Sequence, residues 1–437
     1  MKRLALAVLL SGISAPAFGQ ASTGARETLA NAVDSAFANN PAILAQRKGR
    51  AVADETLEQA KAQMRPQVNF SATASTEHVK NGQFFTTPTG ETFPTQGGLQ
   101  RDSVGVEARQ SIYSGGALTG QRRQAEAGVT VASQQLRSQE QGLILDVVTA
   151  FVDVRRAEEE FRIRSENVDA LKQQVKAASD RFTVGEVTRT DVAQAQSRAA
   201  GSESALAASR ARLAAARANY EKLVGHPGIQ LDAPPAPPAI PATLDQAIAA
   251  ALRDNPDLAA RRAAEGRAEG GVAIAKGGLR PKLDIVGSAG LQDTYADNNL
   301  QDTNAALRAE LKIPLFTGGL ASSRTRSAQL QVDQARLETR AAERQVTQLT
   351  TNSWHQVLAA REAIAASTSR VSAAKVALEG AQQELSVGTR ITLDVLDQET
   401  ELLEAQLGLV DSQRQAYVAV HELLAAMGRL SPEVVGH

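Results

Sequence analysis

Four stretches of the chain alternate apolar and polar side chains with a period of two, the pattern of a strand wetted on one face. In the first, Val68, Phe70, Ala72 and Ala74 point one way while Gln67, Asn69, Ser71, Thr73 and Ser75 point the other. In the second, Val104, Val106, Ala108 and Ile112 oppose Glu107 and Arg109, and in the third Leu283, Ile285, Ala289 and Leu291 oppose Lys282, Asp284 and Ser288. The fourth sets Leu307, Leu311, Ile313 and Leu315 against Arg308, Glu310 and Lys312. The spacing predicts strands over 66–79, 101–113, 281–292 and 303–315. Each is at least the roughly nine to eleven residues that a tilted transmembrane strand needs. The remaining text, rich in Ala, Leu, Gln, Glu and Arg, predicts helices over 28–65, 116–184, 190–225, 243–280, 319–387 and 392–428. The two longest contain no proline, and roughly 70 residues of α-helix span on the order of 100 Å. No globular domain needs such a helix.

These elements occur twice in one order. Asn40-Pro41 and Arg65-Pro66 recur as Asn255-Pro256 and Arg280-Pro281 at an offset of 215, from Pro41 to Pro256. Tyr113-Ser114-Gly115-Gly116 recurs as Phe316-Thr317-Gly318-Gly319 at an offset of 203, from Gly115 to Gly318. The second offset also relates Val184-Gly185 to Val387-Gly388, Asp191 to Asp394 and Gly225 to Gly428. The chain therefore divides into a first repeat over 20–230, a proline-rich linker over 231–242, a second repeat over 243–430 and a tail over 431–437. The first repeat holds 12 residues more, expected as a longer exposed loop over 81–100. Each internal Asn-Pro marks a helix break or restart. The outer helices of a repeat together match its long helix in length. Stacked end to end, they make a second column beside it.

The N-terminal segment predicts export, to the periplasm, the medium or the outer membrane. Lys2 and Arg3, an apolar run over 4–10 and Ala17-Phe18-Gly19 form a signal peptide over 1–19. No stretch reaches the roughly eighteen apolar residues of a membrane-spanning helix. The absence of cysteine excludes disulfides, thiolate sites and a lipid-bearing N-terminal Cys. A formal charge of −1 is no footprint for nucleic acid. An exported chain can bury the apolar strand faces in lipid, where only a closed barrel satisfies every backbone group. Four strands cannot close, eight leave no conduit, and three chains of four give twelve with a wet lumen. The expected fold is a mixed α+β membrane protein, a trimeric outer-membrane β-barrel with four strands per chain, continued by a long periplasmic α-helical barrel. The alternative is a soluble periplasmic coiled-coil or adaptor-like protein whose sheet has one wet face.

The order of elements, the Asn-Pro and Arg-Pro marks, and Leu315-Phe316-Thr317-Gly318-Gly319 resemble the TolC family of outer-membrane efflux proteins. So do the two long-helix turns, Arg181-Phe182-Thr183-Val184-Gly185 continuing to Thr190-Asp191, and Leu385-Ser386-Val387-Gly388-Thr389-Arg390 continuing to Asp394 and Asp397. The resemblance runs over about 28–430. It implies a homotrimer in outer-membrane lipid that docks on a periplasmic adaptor protein and an inner-membrane pump of RND or ABC type, exporting small molecules or, in type I secretion, proteins. By the same resemblance Asp394 and Asp397 stand at the periplasmic gate. Arg390 forms a latch with Asp191 and Thr190, and the tips Val184, Gly185, Val387 and Gly388 meet the adaptor. Asp394 and Asp397 are three apart and share a helix face. Six such carboxylates in a trimer resist full ionisation and recruit cations, giving a cation block. Leu385 stands where some relatives carry a tyrosine in the latch.

No phosphate-binding glycine loop and no nucleophile elbow occurs. The histidines His78, His226, His355, His421 and His437 show no ligand spacing and are expected on surfaces or loops. No cofactor, structural metal or enzymatic activity is expected.

Overall fold

The computed structural model describes residues 26–86, 92–295 and 300–435. The expected signal peptide over 1–19, part of the expected loop over 81–100, and His437 lie outside the described residues. In chain order the elements are α1 (Leu29–Asn39), α2 (Pro41–Ala62), β1 (Gln67–Thr86), β2 (Thr92–Tyr113), α3 (Ala117–Thr183) and α4 (Arg189–Val224). The second set is α5 (Leu244–Asp254), α6 (Pro256–Gly277), β3 (Lys282–Tyr295), β4 (Leu300–Lys312), α7 (Leu320–Ser386), α8 (Thr392–Ala426) and α9 (Pro432–Val435).

The helices expected over 28–65 and 243–280 are each two helices broken at the Asn-Pro step. The asparagine explains the break. Asn40 Oδ1 accepts from the Ala42 N–H at 3.0 Å, and its Nδ2 donates to Leu223 O at 3.4 Å. Asn255 Oδ1 accepts from the Leu258 N–H at 3.1 Å, and its Nδ2 donates to Ala426 O at 3.0 Å. One amide thus caps the start of a helix and the end of another, which a carboxylate, having no donor, could not do. The following proline loses nothing at the first helical position. Each joint stacks a short helix on a long-range partner, α2 on α4 and α6 on α8. The wall then runs α2/α4, α3, α6/α8, α7.

The sheet order is β1-β2-β3-β4, antiparallel throughout. Pairs Phe70↔Val106, Val106↔Ala289 and Ala289↔Ala305 carry one apolar face across all four strands. That face is uncovered: Phe70 is 72% and Leu307 80% exposed. The opposite face carries Asn69, Glu107, Ser288 and Asn304, with Val286 buried among its polar neighbours.

Three boundaries differ from the expectation. The extra residues of the first repeat lengthen a hairpin instead of forming a loop, since β1 and β2 pair as far as Thr86↔Thr92. Strand pairing propagates wherever both edges can keep exchanging backbone hydrogen bonds. β4 stops at Lys312, because Pro314 has no N–H for the ladder. The tail holds α9, whose Val435 is buried against the main core. That core lies at the level of the Asn-Pro joints and joins Phe151 and Tyr220 to Trp354, Tyr417 and Leu423.

Candidate functional site

The far ends of the helical wall are two hairpin tips built alike. Gly185 and Gly388 take φ of +80° and +77°, a region open to glycine, and reverse the chain after α3 and α7. At the first tip Gly185 N–H donates to Phe182 O at 3.0 Å and Glu186 N–H to Arg181 O at 2.9 Å. The second repeats this, with Gly388 N–H on Leu385 O at 3.1 Å and Thr389 N–H on Glu384 O at 3.0 Å. Both patterns close orphaned carbonyls at a helix end. Four apolar side chains stand out from these turns. Val184 is 71%, Val387 73%, Ile391 62% and Phe182 45% exposed.

The helices leaving the tips are not equivalent. Thr188 and Asp191 form a capping box at α4, with Thr188 N–H on Asp191 Oδ2 at 2.8 Å and Asp191 N–H on Thr188 Oγ1 at 3.3 Å. At α8 the matching cap is Ile391, which has no side-chain oxygen. Asp394, the counterpart of Asp191, therefore has no cap to complete, and among the described residues no hydrogen-bond partner holds its carboxylate. It lies in the first turn of α8, where the helix dipole favours an anion.

Asp397 is engaged. Arg198 of α4 donates to its Oδ1 at 2.8 Å across the gap between the two hairpins. Gln174 of α3 donates to Glu399 Oε1 at 3.2 Å, two residues further along α8. Burial pushes the Glu399 carboxyl up, with the Gln174 bond opposing. Leu171, Ala178, Ala195, Ala199 and Leu396 form a small apolar cluster beneath this point. Arg390 bonds Glu384 of its own hairpin. Asp191 is held by its capping box, and Thr190 is exposed. A single chain therefore does not bring Arg390, Asp191 and Thr190 together. Leu385 gives its carbonyl to the turn and has no side-chain donor.

Sequence reasoning missed the anchorage of α8 higher in the wall. Asp153 and Arg156 of α3 cross-pair with Arg414 and Asp411 of α8, with Arg414 Nε on Asp153 Oδ1 at 2.7 Å and Arg156 on Asp411. The matching signal was an acid-x-x-arginine step on each helix. Nearby, Glu160 is 5% exposed. Burial would raise its carboxyl, but Arg212 and Arg164 outweigh it and hold it below the usual range. Among the described residues no cluster of three or more side chains could hold a metal ion, and no helix is long and apolar enough to cross a membrane.

The chain matches the outer membrane efflux protein family over residues 32–226 and 247–429. It is 34% identical to outer membrane efflux protein BepC of Brucella suis biovar 1, covering 99% of this chain and 91% of that one. Outer membrane protein TolC of Vibrio cholerae is 26% identical, covering 94% of this chain and 92% of that one. The CmeC outer membrane channel of Campylobacter jejuni superposes with a TM-score of 0.79 at 15% identity, covering 98% of this chain and 94% of that one. The chain belongs to the TolC family of outer membrane efflux proteins. It is an outer-membrane channel subunit extended into the periplasm, and such channels are non-enzymatic transporters. Family membership implies a trimer working within a tripartite pump. The soluble coiled-coil alternative is thereby set aside.

Proposed function

We propose that the hairpin tips receive a periplasmic adaptor protein and that docking opens a gate formed by Asp394 of three protomers. The observation that carries this reading is the set of exposed apolar residues Phe182, Val184, Val387 and Ile391 on hydrogen-bonded glycine turns. Such side chains at a tip, rimmed by charge, are the ordinary signature of a protein-binding surface. The inner-membrane partner is a pump of RND or ABC type that selects the cargo, whether small molecules or secreted protein.

The gate reading sharpens on one contrast. Arg198 gives Asp397 a counter-charge, so the unbalanced negative charge rests on Asp394. Three free carboxylates around a narrow opening draw cations. The latch requires Arg390 to leave Glu384 for Asp191 and Thr190 of a neighbouring protomer. Charge-assisted bonds to arginine suit such an exchange, because one is made as another breaks. With leucine at position 385 the latch has one hydrogen bond fewer than a tyrosine would give.

Single-channel conductance of the trimer in a planar bilayer tests the gate. Asp394→Ala should relieve block by divalent cations, Asp397→Ala should relieve it less, and Arg390→Ser should raise the resting conductance. Block unchanged in the Asp394→Ala, Asp397→Ala double variant would remove the gate role. Val387→Asp should abolish co-purification of adaptor and pump from membranes while the trimer still assembles.

A further inference from the structure

Above the tips, α8 lies against the α3/α4 hairpin along a seam formed by Leu171, Ala178, Ala195, Ala199 and Leu396. The alanines let the helices come close, and burial of the two leucines holds them there. Into this apolar seam α8 projects one carboxyl group. Glu399 is 7% exposed. Gln174 Nε2 donates to its Oε1 at 3.2 Å, while its Oε2 is shut off from solvent and has no hydrogen-bond partner among the described residues. A shift of 203 gives Gln196 as its counterpart in the first repeat, and that residue is exposed. The duplicated helix therefore does not need an acid at this place.

No opposite charge is turned toward Glu399. Arg198 of α4 is taken by Asp397, and Glu203 of α4 by Lys172 of α3. Arg370 of α7 is taken by Glu401 and Glu404 of α8. Asp169 and Lys176 of α3, and Lys375 and Glu379 of α7, are exposed. What acts on the charge of Glu399 is burial, which disfavours the ionised form, and the Gln174 amide, which opposes it. An ionised carboxylate with an orphaned oxygen is poorly housed in such a seam, whereas the neutral acid is tolerated.

We propose that Glu399 is an acid-sensitive clasp between the α3/α4 hairpin and α8, seated when its carboxyl is neutral and released to water when it ionises. The inference rests on the reading that adaptor docking opens the tips, and it adds a proton to that opening. An exposed glutamate titrates near about 4.3. Burial raises Glu399 above this in the shut seam. The shut seam therefore holds a proton that the parted seam gives up as pH rises between the two values, and parting becomes easier over that window. Below the exposed value the carboxyl is neutral in both states and the seam keeps its full hold. Above the raised value the loss is complete. Acid in the periplasm shuts the seam, and neutral conditions leave it ready to part when the tips are engaged.

The chain has no cysteine, so a single introduced thiol reports whether the seam parts. Ala195→Cys places it where the side chain is 0% exposed. In the purified trimer, its rate of reaction with dithiodipyridine is measured with Glu399 present and with Glu399→Gln, from acid to neutral pH. The ratio of the two rates cancels the pH dependence of the thiol itself. It should lie near one at about pH 4.5 and rise several-fold by about pH 7.5, tenfold for each pKa unit that separates the shut and parted seams. Glu399→Leu should match Glu399→Gln, since neither side chain ionises. Glu401→Gln, which removes an exposed acid two residues away, should match the chain with Glu399 intact. A ratio that does not change with pH, or the same change produced by Glu401→Gln, overturns the clasp. The Asp394 gate is read by conductance and cation block, so its failure would leave this ratio as it is.

Discussion

His421 shows how one side chain departs from its sequence neighbourhood. Expected on a surface or loop, it is fully buried, with Nδ1 2.8 Å from Tyr417 O and its ring stacked at 4.6 Å on Tyr417. Nothing around position 421 in the sequence marks this, because the covering residues come from distant segments. Burial lowers its pKa, opposed by the bond to the Tyr417 carbonyl. A buried histidine that prefers to be neutral contributes its full stability above the ordinary value of about 6.5 and loses it as pH falls through the depressed one. His421→Phe should therefore gain thermal stability relative to the parent chain as pH is lowered from about 7 to about 5. Circular dichroism melts at both pH values check this, and parallel shifts would reject it. Asp191 and Asp394 make the same point for the gate. They are equivalent in sequence, but only one has a threonine to cap with.

Among elements, α3 and α6 come into backbone contact at Gly120 and Gly270. A Cβ on Gly270 would lie 2.9 Å from Gln124 N and 3.0 Å from Gly120 O, both backbone, so the helices would have to part. At Gly271 the nearest atom is Gln124 Nε2 at 3.9 Å. Gly270→Val should destabilise by about 1–3 kcal/mol through overpacking. Gly271→Ala should be neutral or stabilising by up to about 1 kcal/mol, from helix propensity. Denaturant midpoints of the two variants separate a packing role from a general cost of touching α6. Periodicity made the strands and long helices legible, and the Asn-Pro steps gave the breaks. The added length of the β1–β2 hairpin was not legible, since Gly, Thr and Pro over 81–100 read as a loop while pairing overrode local preference.

At the scale of the molecule, the core at the joints belongs to neither repeat alone. Phe151 and Tyr220 come from the first, while Trp354, Tyr417 and Leu423 come from the second. The crossed pairs between Asp153, Arg156, Asp411 and Arg414 tie the two just below. Residues 26–230 and 243–430 expressed separately should each melt without cooperativity and be digested quickly. Refolding them together should restore a cooperative transition followed by circular dichroism. A sharp melt of either half alone would show that the repeat is itself a folding unit.

The sequence by itself determined the duplication, the four strands with one apolar face, the columns and the place of the tips. These follow from periodicity and glycine–proline punctuation, which act over a few residues. Only the tertiary structure decided that Asp397 is paired with Arg198, that Asp153 and Arg156 cross-pair with Arg414 and Asp411, and that His421 is buried. Each of those depends on which helix lies alongside, through contacts that join residues as much as 261 positions apart. No local pattern encodes such a partner. It is fixed when the Asn-Pro joints and the glycine contact of α3 with α6 set the columns in register.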